Sequence, residues 1–465
     1  MKKKEIRALG ICSESALALA IDLIREGRAR GEDVRDLRRA LESVAADPGA
    51  HLEDPVLGAL AAAEVEYRSL QDSYIPREQP APYRQWGDDL EEGAVRQLQN
   101  ACRLPVSVRA ALMPDAHVGY GLPIGGVLAT RRAVIPYAVG VDIACRMKMS
   151  VLDLPVSILD DEPDRLRRAI RAETRFGIGA KFRHRRQHPV LDEDWSITPL
   201  VRGLEDKAWA QLGTSGSGNH FVEFGILSLG EAELGLPAGE YLALLSHSGS
   251  RGSGAAIAGH YSKLARSLHQ ELPQELSALA WLDLDSEAGQ EYWQSMELMG
   301  KYAAANHACI HRHMAEHLGA EVLLDLENHH NFAWKEIHDG EELIVHRKGA
   351  TPAGEGVIGI IPGSMATSTY IVRGKGNSAS LDSAAHGAGR VMSRTRAKKE
   401  LSWKQARNLL EKEKVSLISA GLDEVPMVYK DIHAVIAAQH DLVETVATFQ
   451  PRLVKMAPAG ERPED

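Results

Sequence analysis

Short apolar runs bounded by glycine-rich turns dominate the chain beyond about residue 80 and limit the folds available to it. Four of these runs have the length and residue types of β-strands, at 126–130, 242–245, 357–361 and 369–372. Longer helical patterns lie between or after them, at 253–272, 286–318 and 403–419. Strands and helices do not alternate regularly, and no repeat of about 20–50 residues is present. The pattern therefore predicts an α+β fold with a mixed sheet rather than a doubly wound sheet.

The first part of the chain has a different texture and predicts a helical N-terminal segment. Apolar residues recur with helical spacing over 14–71, with a break at Asp47-Pro48-Gly49. The proline-rich stretch 75–82 follows, so we place a domain boundary near residue 80, with a helical appendage over 1–80 and a second domain over 81–465. No motif in the appendage carries chemistry, which favours a plain helical segment over a partner-binding module.

Charge and cysteine usage narrow the class of protein. The formal net charge of −10 argues against a generally basic nucleic-acid coat protein, although a local basic groove remains compatible with it. The four cysteines lie far apart and form no Cys-x-x-Cys pair, which disfavours a disulfide framework and fits a reducing compartment. Charged residues interrupt the apolar stretch after the N-terminal lysines, and no run of about 18 apolar residues exists. We expect a cytoplasmic protein.

One carboxylate, one thiol and several imidazoles, most of them beside glycine or other small residues, suggest a transition-metal site. The candidates are Asp142, Cys145, His220, His247 and one of the pair His329-His330. A thiolate can bridge two ions, and two ions can clamp both oxygens of a displacement at phosphorus. The alternative is a buried structural cysteine beside a capping aspartate.

Two glycine-rich segments add groups suited to phosphate. The segment 213–220 offers backbone donors that can cradle an anion, and Asn219 and Glu223 can hydrogen-bond a nucleotide, although no Gly-Lys-Ser/Thr follows as in a Walker loop. Arg251 lies four residues after His247, within range of a phosphate.

His386 differs from the other histidines. It lies in a glycine turn with Arg390 and no neighbouring acid in sequence, so its imidazole is a candidate nucleophile toward a nucleotide α-phosphate. The alternative is a hydrogen-bonded structural histidine.

Two further patterns have simpler interpretations. Four histidines at helical spacing lack a catalytic glutamate arrangement and predict a solvated helix face: His307, His311, His313 and His317. The stretch 165–188 contains nine Lys/Arg and the single glutamate Glu173, and we leave open a solvated face or a contact to a phosphate backbone. The basic cluster over 390–399 supports the second interpretation.

Taken in order, these motifs resemble the RtcB family of RNA-splicing ligases over about residues 86–455. The matching segments are Met113 to His117, Gly140 to Cys145, Gly218 to Phe221, His247 to Arg251, His330-Asn331, Val345 to Ala350, Ile361 to Met365, His386 to Arg394 and Tyr429 to Ile432.

The resemblance implies an RtcB-like catalytic domain over 81–465 that uses GTP and two Mn²⁺ ions. Such an enzyme joins an RNA 3′-phosphate or 2′,3′-cyclic phosphate to a 5′-hydroxyl, through a histidine–GMP adduct and an RNA-3′-ppG intermediate. The implied metal ligands are Asp142, Cys145, His220, His247 and His330. The implied catalytic residues are His386, Arg390, Arg251 and a supporting Asp115, and the implied GTP-binding residues are Asn219, Glu223, Ser364, Tyr429 and Lys455. The implied partners are cleaved RNA such as tRNA halves, GTP and an archease-like activator, with the protein itself a monomer.

Three residues depart from the family pattern, where glycines are usual around the metal cysteine and after Ser364-Met365: Ala144, Arg146 and Ala366. Two rival functions therefore stay open. One is a dinuclear-metal phosphodiesterase, which has no need of a nucleophilic His386. The other is a catalytically weakened RNA-binding paralogue whose metal centre is occluded by Arg146.

Overall fold

The computed structural model describes residues 1–11, 13–72 and 74–462, and the chain forms two compact units. One unit combines Met1–Arg77 with Arg266–Ala280, and the other combines Glu78–Ala265 with Trp281–Asp465. Whether residues 1–80 act as a separate appendage stays a prediction. Within the described ranges, no helix has both the length and the apolar character needed to cross a membrane.

The first unit is built from capped amphipathic helices. Their bounds are α1 Lys3–Arg7, α2 Glu14–Ala29, α3 Val34–Ala46 and α4 Gly58–Asp72. The Ser13 side chain caps α2 by accepting a hydrogen bond from the Ala16 amide, and Asp33 caps α3 in the same way through the Arg35 amide. Leu17, Leu37 and Leu41 meet in a shared apolar core. The helices predicted over 14–71 and the break at residues 47–49 are confirmed, the break being a short 3-10 turn over Pro48–His51.

The remaining helices lie in the second unit, except that α11 runs into the segment 266–280. Their bounds are α5 Glu92–Cys102, α6 Pro136–Val139, α7 Ile158–Asp161, α8 Pro163–Glu173, α9 Pro199–Arg202, α10 Glu205–Gln211, α11 Arg251–Leu268, α12 Glu287–Leu318, α13 Arg394–Glu400, α14 Trp403–Lys412 and α15 Ile432–Ala437. The helices predicted at 253–272 and 286–318 are confirmed as α11 and α12. The helix predicted over 403–419 is wrong in its second half, because Lys414 adopts a left-handed φ of 56° and residues 416–419 form a strand.

The strands of the second unit form mixed sheets, which together with the helices give the predicted α+β architecture. Their bounds are β1 Tyr83–Gln85, β2 Ser107–His117, β3 Ile124–Thr130, β4 Ala133–Val134, β5 Arg146–Leu152, β6 Phe221–Leu229, β7 Gly239–Ser248, β8 Leu282–Asp283, β9 Val322–His329, β10 Asn331–His338, β11 Glu341–Lys348, β12 Ala350–Pro352, β13 Ile358–Ile361, β14 Thr369–Gly374, β15 Ser383–Ala385, β16 Ser416–Ser419 and β17 Val443–Met456. The four strands predicted from the sequence lie within β3, β7, β13 and β14, apart from Val357, which precedes β13.

Two larger sheets organise these strands. One has the order β1-β2-β3-β11-β10, and the other has the order β13-β14-β17-β6-β7-β5-β9, with β16 paired to β17. Within the described residues, β1 with β2 and β16 with β17 are parallel, whereas the other ladders are antiparallel. Helix α12 covers one face of the larger sheet, where Ile310 and Met314 pack against Phe224 and Leu244. This packing makes the sheet a rigid support for the residues at its edge.

The predicted solvated face of α12 is wrong for two of its four histidines. His307 and His311 are buried, and both rings lie 2.7 Å from the Ser246 hydroxyl oxygen of β7. His311 Nδ1 also lies 2.7 Å from the Ser150 hydroxyl, which makes burial of these polar rings tolerable. The partners come from distant strands, so helical spacing alone could not reveal them. His313 and His317 remain partly exposed.

Candidate active site

Four neighbouring strands of the larger sheet bring candidate metal ligands to one edge. Cys145 immediately precedes β5 and His220 immediately precedes β6, whereas His247 lies at the end of β7 and His330 immediately follows β9. The antiparallel order β6-β7-β5-β9 places these strand ends side by side. The convergence therefore follows from strand direction as well as from residue type.

These side chains and Asp142 form two overlapping donor sets, all of them buried. In the first set, Cys145 Sγ lies 3.0 Å from His247 Nε2, which lies 3.1 Å from His330 Nε2. In the second, His220 Nε2 lies 3.0 Å from Asp142 Oδ2 and 3.5 Å from Cys145 Sγ. The ligand atoms of each set lie within 4.8 Å of one another, and Cys145 belongs to both sets.

The surroundings of three of these ligands shift their pKa values in the direction that metal binding requires. Burial lowers the pKa of both His247 and His330 well below the ordinary value, because an imidazolium is poorly solvated there. Burial raises the pKa of Asp142, but the hydrogen bond to His220 and the nearby charges of His220 and Arg251 together lower it more, so the net pKa is below the ordinary value. Neutral rings at His247 and His330, together with a carboxylate and a cysteine sulfur, fit a divalent transition-metal ion.

The donors are held by backbone groups around them. His247 Nδ1 donates to the carbonyl of Asn219 at 3.2 Å, which turns Nε2 toward the sulfur. The Ser250 amide donates to Asp142 Oδ1 at 3.1 Å, and a Cβ on Gly249 would lie 2.2 Å from that same oxygen. Glycine at 249 therefore allows the loop to approach the carboxylate.

Ala144 lies in a strained turn between two of the ligands. Its φ is 57°, a left-handed conformation that costs a non-glycine residue roughly 1–2 kcal/mol. Its amide donates to the Asn331 carbonyl at 2.7 Å, and the turn closes with the Cys145 amide donating to the Asp142 carbonyl at 3.2 Å. The alanine thus retains the turn that presents Asp142 and Cys145, at some cost in conformational energy.

His386 lies beside the metal donors and is oriented by Asp115. Its ring centroid is 5.0 Å from that of His330, and its Nδ1 donates to Asp115 Oδ2 at 2.7 Å. The same oxygen accepts the amides of His386 and Gly387 at 3.2 and 3.3 Å. Nδ1 is thereby occupied, and within the described residues Nε2 makes no hydrogen bond. A Cβ on Gly389 would lie 2.1 Å from the Asp115 carbonyl oxygen, so glycine permits this close approach.

One cavity joins the donor sets to His386 and to most of the predicted nucleotide-binding residues. Its lining includes Asn219, Glu223, Ser364, Tyr429 and Arg390. Burial raises the pKa of Glu223 well above the ordinary value, so its carboxyl group is protonated over a wider pH range and can donate a hydrogen bond.

Two predicted cationic residues lie outside the cavity lining. Lys455 Nζ donates to the Thr174 hydroxyl at 3.2 Å. Because Lys455 pairs with Val222 in β6, its side chain lies on the opposite face of the sheet from that of Glu223. Arg251 is buried and donates to the Gly177 carbonyl at 3.0 Å. The structure therefore brings together the metal donors and His386 but not these two cations, whose roles stay predictions.

The departures from the family pattern do not obstruct the cavity. Arg146 lies on β5 and its guanidinium pairs with Glu327 at 3.3 Å and with the Gly300 carbonyl at 3.1 Å. Neither Arg146 nor Ala366 is among the residues that line the cavity. Because Arg146 lies outside the cavity lining and pairs with Glu327, the structure does not support the hypothesis that Arg146 occludes the metal centre.

Glu424 and His117, for which the sequence predicts no role, also line the cavity. Glu424 pairs with Arg390 at 3.3 Å and accepts a short hydrogen bond from the Tyr429 hydroxyl. Its position in a short 3-10 turn carries no motif. His117 is the last residue of the segment Met113 to His117 that resembles the family, and this resemblance was the signal that could have identified it.

Comparisons with known proteins agree with this arrangement. The family model described as "tRNA-splicing ligase RtcB" matches residues 97–201 and 198–456. The chain is 35% identical over 401 residues to the RNA-splicing ligase RtcB of Escherichia coli K12, which covers 80% of this chain and 96% of that relative. It is 32% identical over 437 residues to the tRNA-splicing ligase RtcB of Nanoarchaeum equitans, covering 78% and 91%. It is 33% identical over 439 residues to the RNA-splicing ligase RtcB of Mycobacterium tuberculosis, covering 76% and 98%. The chain therefore belongs to the RtcB family.

Proposed function

We propose that this protein is an RNA ligase that joins 3′-phosphate or 2′,3′-cyclic phosphate ends to 5′-hydroxyl ends, with GTP and Mn²⁺ as cofactors. The observation that carries the proposal is the position of His386. Its Nδ1 is held by buried Asp115, its Nε2 is left for chemistry, and its ring lies 5.0 Å from the His330 ring of the metal donors.

In the proposed first step, His386 Nε2 attacks the α-phosphorus of GTP. An N–P bond forms, the bond between the α-phosphorus and the bridging oxygen breaks, and pyrophosphate leaves. Asp115 keeps the proton on Nδ1, so that the lone pair of Nε2 faces the phosphorus and positive charge on the ring is stabilised.

In the next two steps, an oxygen of the RNA 3′-phosphate takes GMP from His386, which forms RNA-3′-ppG. The 5′-hydroxyl of the second strand then attacks the RNA phosphorus and releases GMP. A 2′,3′-cyclic end is first opened by water to the 3′-phosphate.

Two Mn²⁺ ions would be held by the two donor sets, with Cys145 shared between them. Such ions neutralise phosphate charge and so reduce repulsion of an incoming nucleophile. We assign nucleotide recognition to Asn219, Glu223, Ser364, Tyr429 and Lys455 and phosphate contacts to Arg390 and Arg251. Because Lys455 and Arg251 lie outside the cavity lining, their side chains would have to move toward the nucleotide to take these roles.

We extend the proposal to the RNA substrates, an activator protein, the oligomeric state and the cellular compartment. The substrates are tRNA halves or other cleaved RNA, an archease-like protein acts as activator, and the enzyme works as a cytoplasmic monomer.

Incubation with GTP labelled at the α-phosphate and Mn²⁺ tests the central step. We expect an acid-labile, alkali-stable protein adduct that is lost in His386→Ala and retained in His433→Ala, since His433 is exposed and lies outside the cavity lining. Absence of the adduct together with intact cleavage of RNA would instead favour a metal-dependent phosphodiesterase.

A further inference from the structure

A loop outside the cavity carries positive charge that the proposed chemistry does not use. We call residues 174–188, which connect α8 to a short 3-10 helix over Pro189–Asp192, the basic loop. It contains no Asp or Glu, although the chain has a formal net charge of −10. Its cations are Arg175, Lys181, Arg183, Arg185 and Arg186, of which all but Arg186 are exposed.

These cations differ in how far the protein already satisfies them. Arg186 pairs with Glu173 at 2.8 Å, and Arg185 pairs with Asp206 at 2.6 Å. Arg175 donates to carbonyl groups near the end of α8. Lys181 has only a longer-range interaction with Asp206, and Arg183 has no ion-pair partner within the described part of the chain. Lys181 and Arg183 are therefore available to an external anion.

The loop is shaped by its own aromatic residue. The Phe182 ring contacts two guanidinium groups, with its centroid 4.9 Å from Arg175 Cζ and 4.0 Å from Arg186 Cζ. Such cation–π contacts restrain the backbone at residue 182, so the exposed side chains of Lys181 and Arg183 extend from an ordered part of the loop.

The loop is attached to the segment that leads into the metal site. The Ser215 amide donates to the Arg175 carbonyl at 2.8 Å, and the Gly177 amide donates to the Gly216 carbonyl at 3.1 Å. Three residues after Gly216 the chain reaches Asn219 and then His220, which line the cavity. The buried guanidinium of Arg251 fixes the same junction through the Gly177 carbonyl.

The second basic cluster suggested by the sequence, over 390–399, is less available to an external anion. Arg390 and Arg394 pair with Glu424, and Lys398 pairs with Asp423 at 3.3 Å. Carboxylates therefore neutralise much of that cluster, in contrast to Lys181 and Arg183.

We propose that the basic loop binds the sugar–phosphate backbone of the RNA strand whose end enters the cavity, with Lys181 and Arg183 as phosphate contacts. This inference rests on the proposed ligase function and names a surface for its substrate. A single RNA strand fits better than an acidic protein, because exposed cations beside apolar side chains such as Ile178, 54% exposed, suit a flexible polyanion. Glu461, whose carboxylate lies beside Gly177, is a nearby acid that RNA must accommodate.

The salt dependence of RNA binding tests the proposal. Full-length protein is titrated, without GTP, into a fluorescent single-stranded RNA with a 3′-phosphate between 50 and 200 mM KCl. Each phosphate contact on a single strand contributes a slope of about 0.7 in log K against log salt, so Lys181→Ser with Arg183→Ser should reduce the slope by about 1.4. Over this fourfold salt range the wild type should lose about sevenfold more affinity than the variant.

A matched control removes the same charge from another exposed surface. Lys404→Ser with Arg407→Ser on α14 changes one lysine and one arginine and should keep the wild-type slope. Lys181→Arg with Arg183→Lys should also keep it. Equal slopes for the loop variant and the α14 variant would overturn the proposal. Labelling of wild-type His386 by GTP is measured in parallel, because its failure overturns the ligase function, whereas labelling with equal slopes overturns only the role of the loop.

Discussion

Asp115→Asn provides a direct measure of how His386 is activated. Oδ2 of Asp115 accepts three hydrogen bonds, from His386 Nδ1 at 2.7 Å and from the amides of His386 and Gly387 at 3.2 and 3.3 Å. Because two of the donors are backbone amides, an asparagine must place its oxygen, not its NH₂ group, at this point. The substitution should therefore preserve the tautomer in which Nε2 carries the lone pair.

The expected loss can be worked from these contacts. A hydrogen bond to a charged group contributes about 1.5–3 kcal/mol and a neutral one about 0.5–1.5 kcal/mol, so removal of the charge costs roughly 1–1.5 kcal/mol at Nδ1. This corresponds to a decrease of about 5- to 13-fold in the rate of His386 guanylylation. Asp115→Ala removes the acceptor altogether and should lower the rate by about 100-fold or more, because the ring loses both orientation and tautomer control.

Single-turnover formation of the labelled adduct at saturating GTP measures both rates. Urea unfolding of the same samples separates a catalytic effect from instability, since the asparagine NH₂ would replace Asp115 Oδ1, which is buried without a partner within the described residues. An Asp115→Asn rate as low as that of Asp115→Ala, or equal to the wild-type rate, would refute this account of the hydrogen bonds.

Three further predictions address the metals, the buried histidines and Glu223. Cys145→Ser should remove manganese from both sites, whereas Asp142→Asn should leave the ion at the Cys145–His247–His330 set. The metal content is measured by mass spectrometry after gel filtration, with Cys309→Ser as the control. Retention of one full ion in Cys145→Ser would contradict the prediction. His311→Ala leaves the Ser150 and Ser246 hydroxyls without this partner and should lower the free energy of unfolding by about 1–3 kcal/mol in urea, against less than about 0.5 kcal/mol for His313→Ala. Because the pKa of Glu223 is raised well above 4.5, the folded state binds more protons than the unfolded state above about pH 4.5. The stability of the wild type relative to Glu223→Gln should therefore fall as pH rises from there, and a flat difference between the two unfolding curves would contradict the burial argument.

The sequence predicted those parts of the fold and site that depend on local signals. Short apolar runs with glycine turns identified β3, β7, β13 and β14, and the candidate ligands lie next to strand ends, where such turns occur. Long-range pairing was beyond local patterns. His307 and His311 have the spacing of an exposed helix face, and their burial is made favourable by hydrogen bonds with serines from β5 and β7. Likewise, the pairing of Arg390 with Glu424 joins two turns that are distant in the chain.

The sulfur atom common to the two donor sets also gives the site a single point of chemical weakness. Oxidation of Cys145 to a sulfinic acid would replace a soft donor by hard oxygen atoms in both sets at once. Peroxide exposure would thus affect two sites through one atom, and a tightly bound ion that masks the thiolate would protect them together.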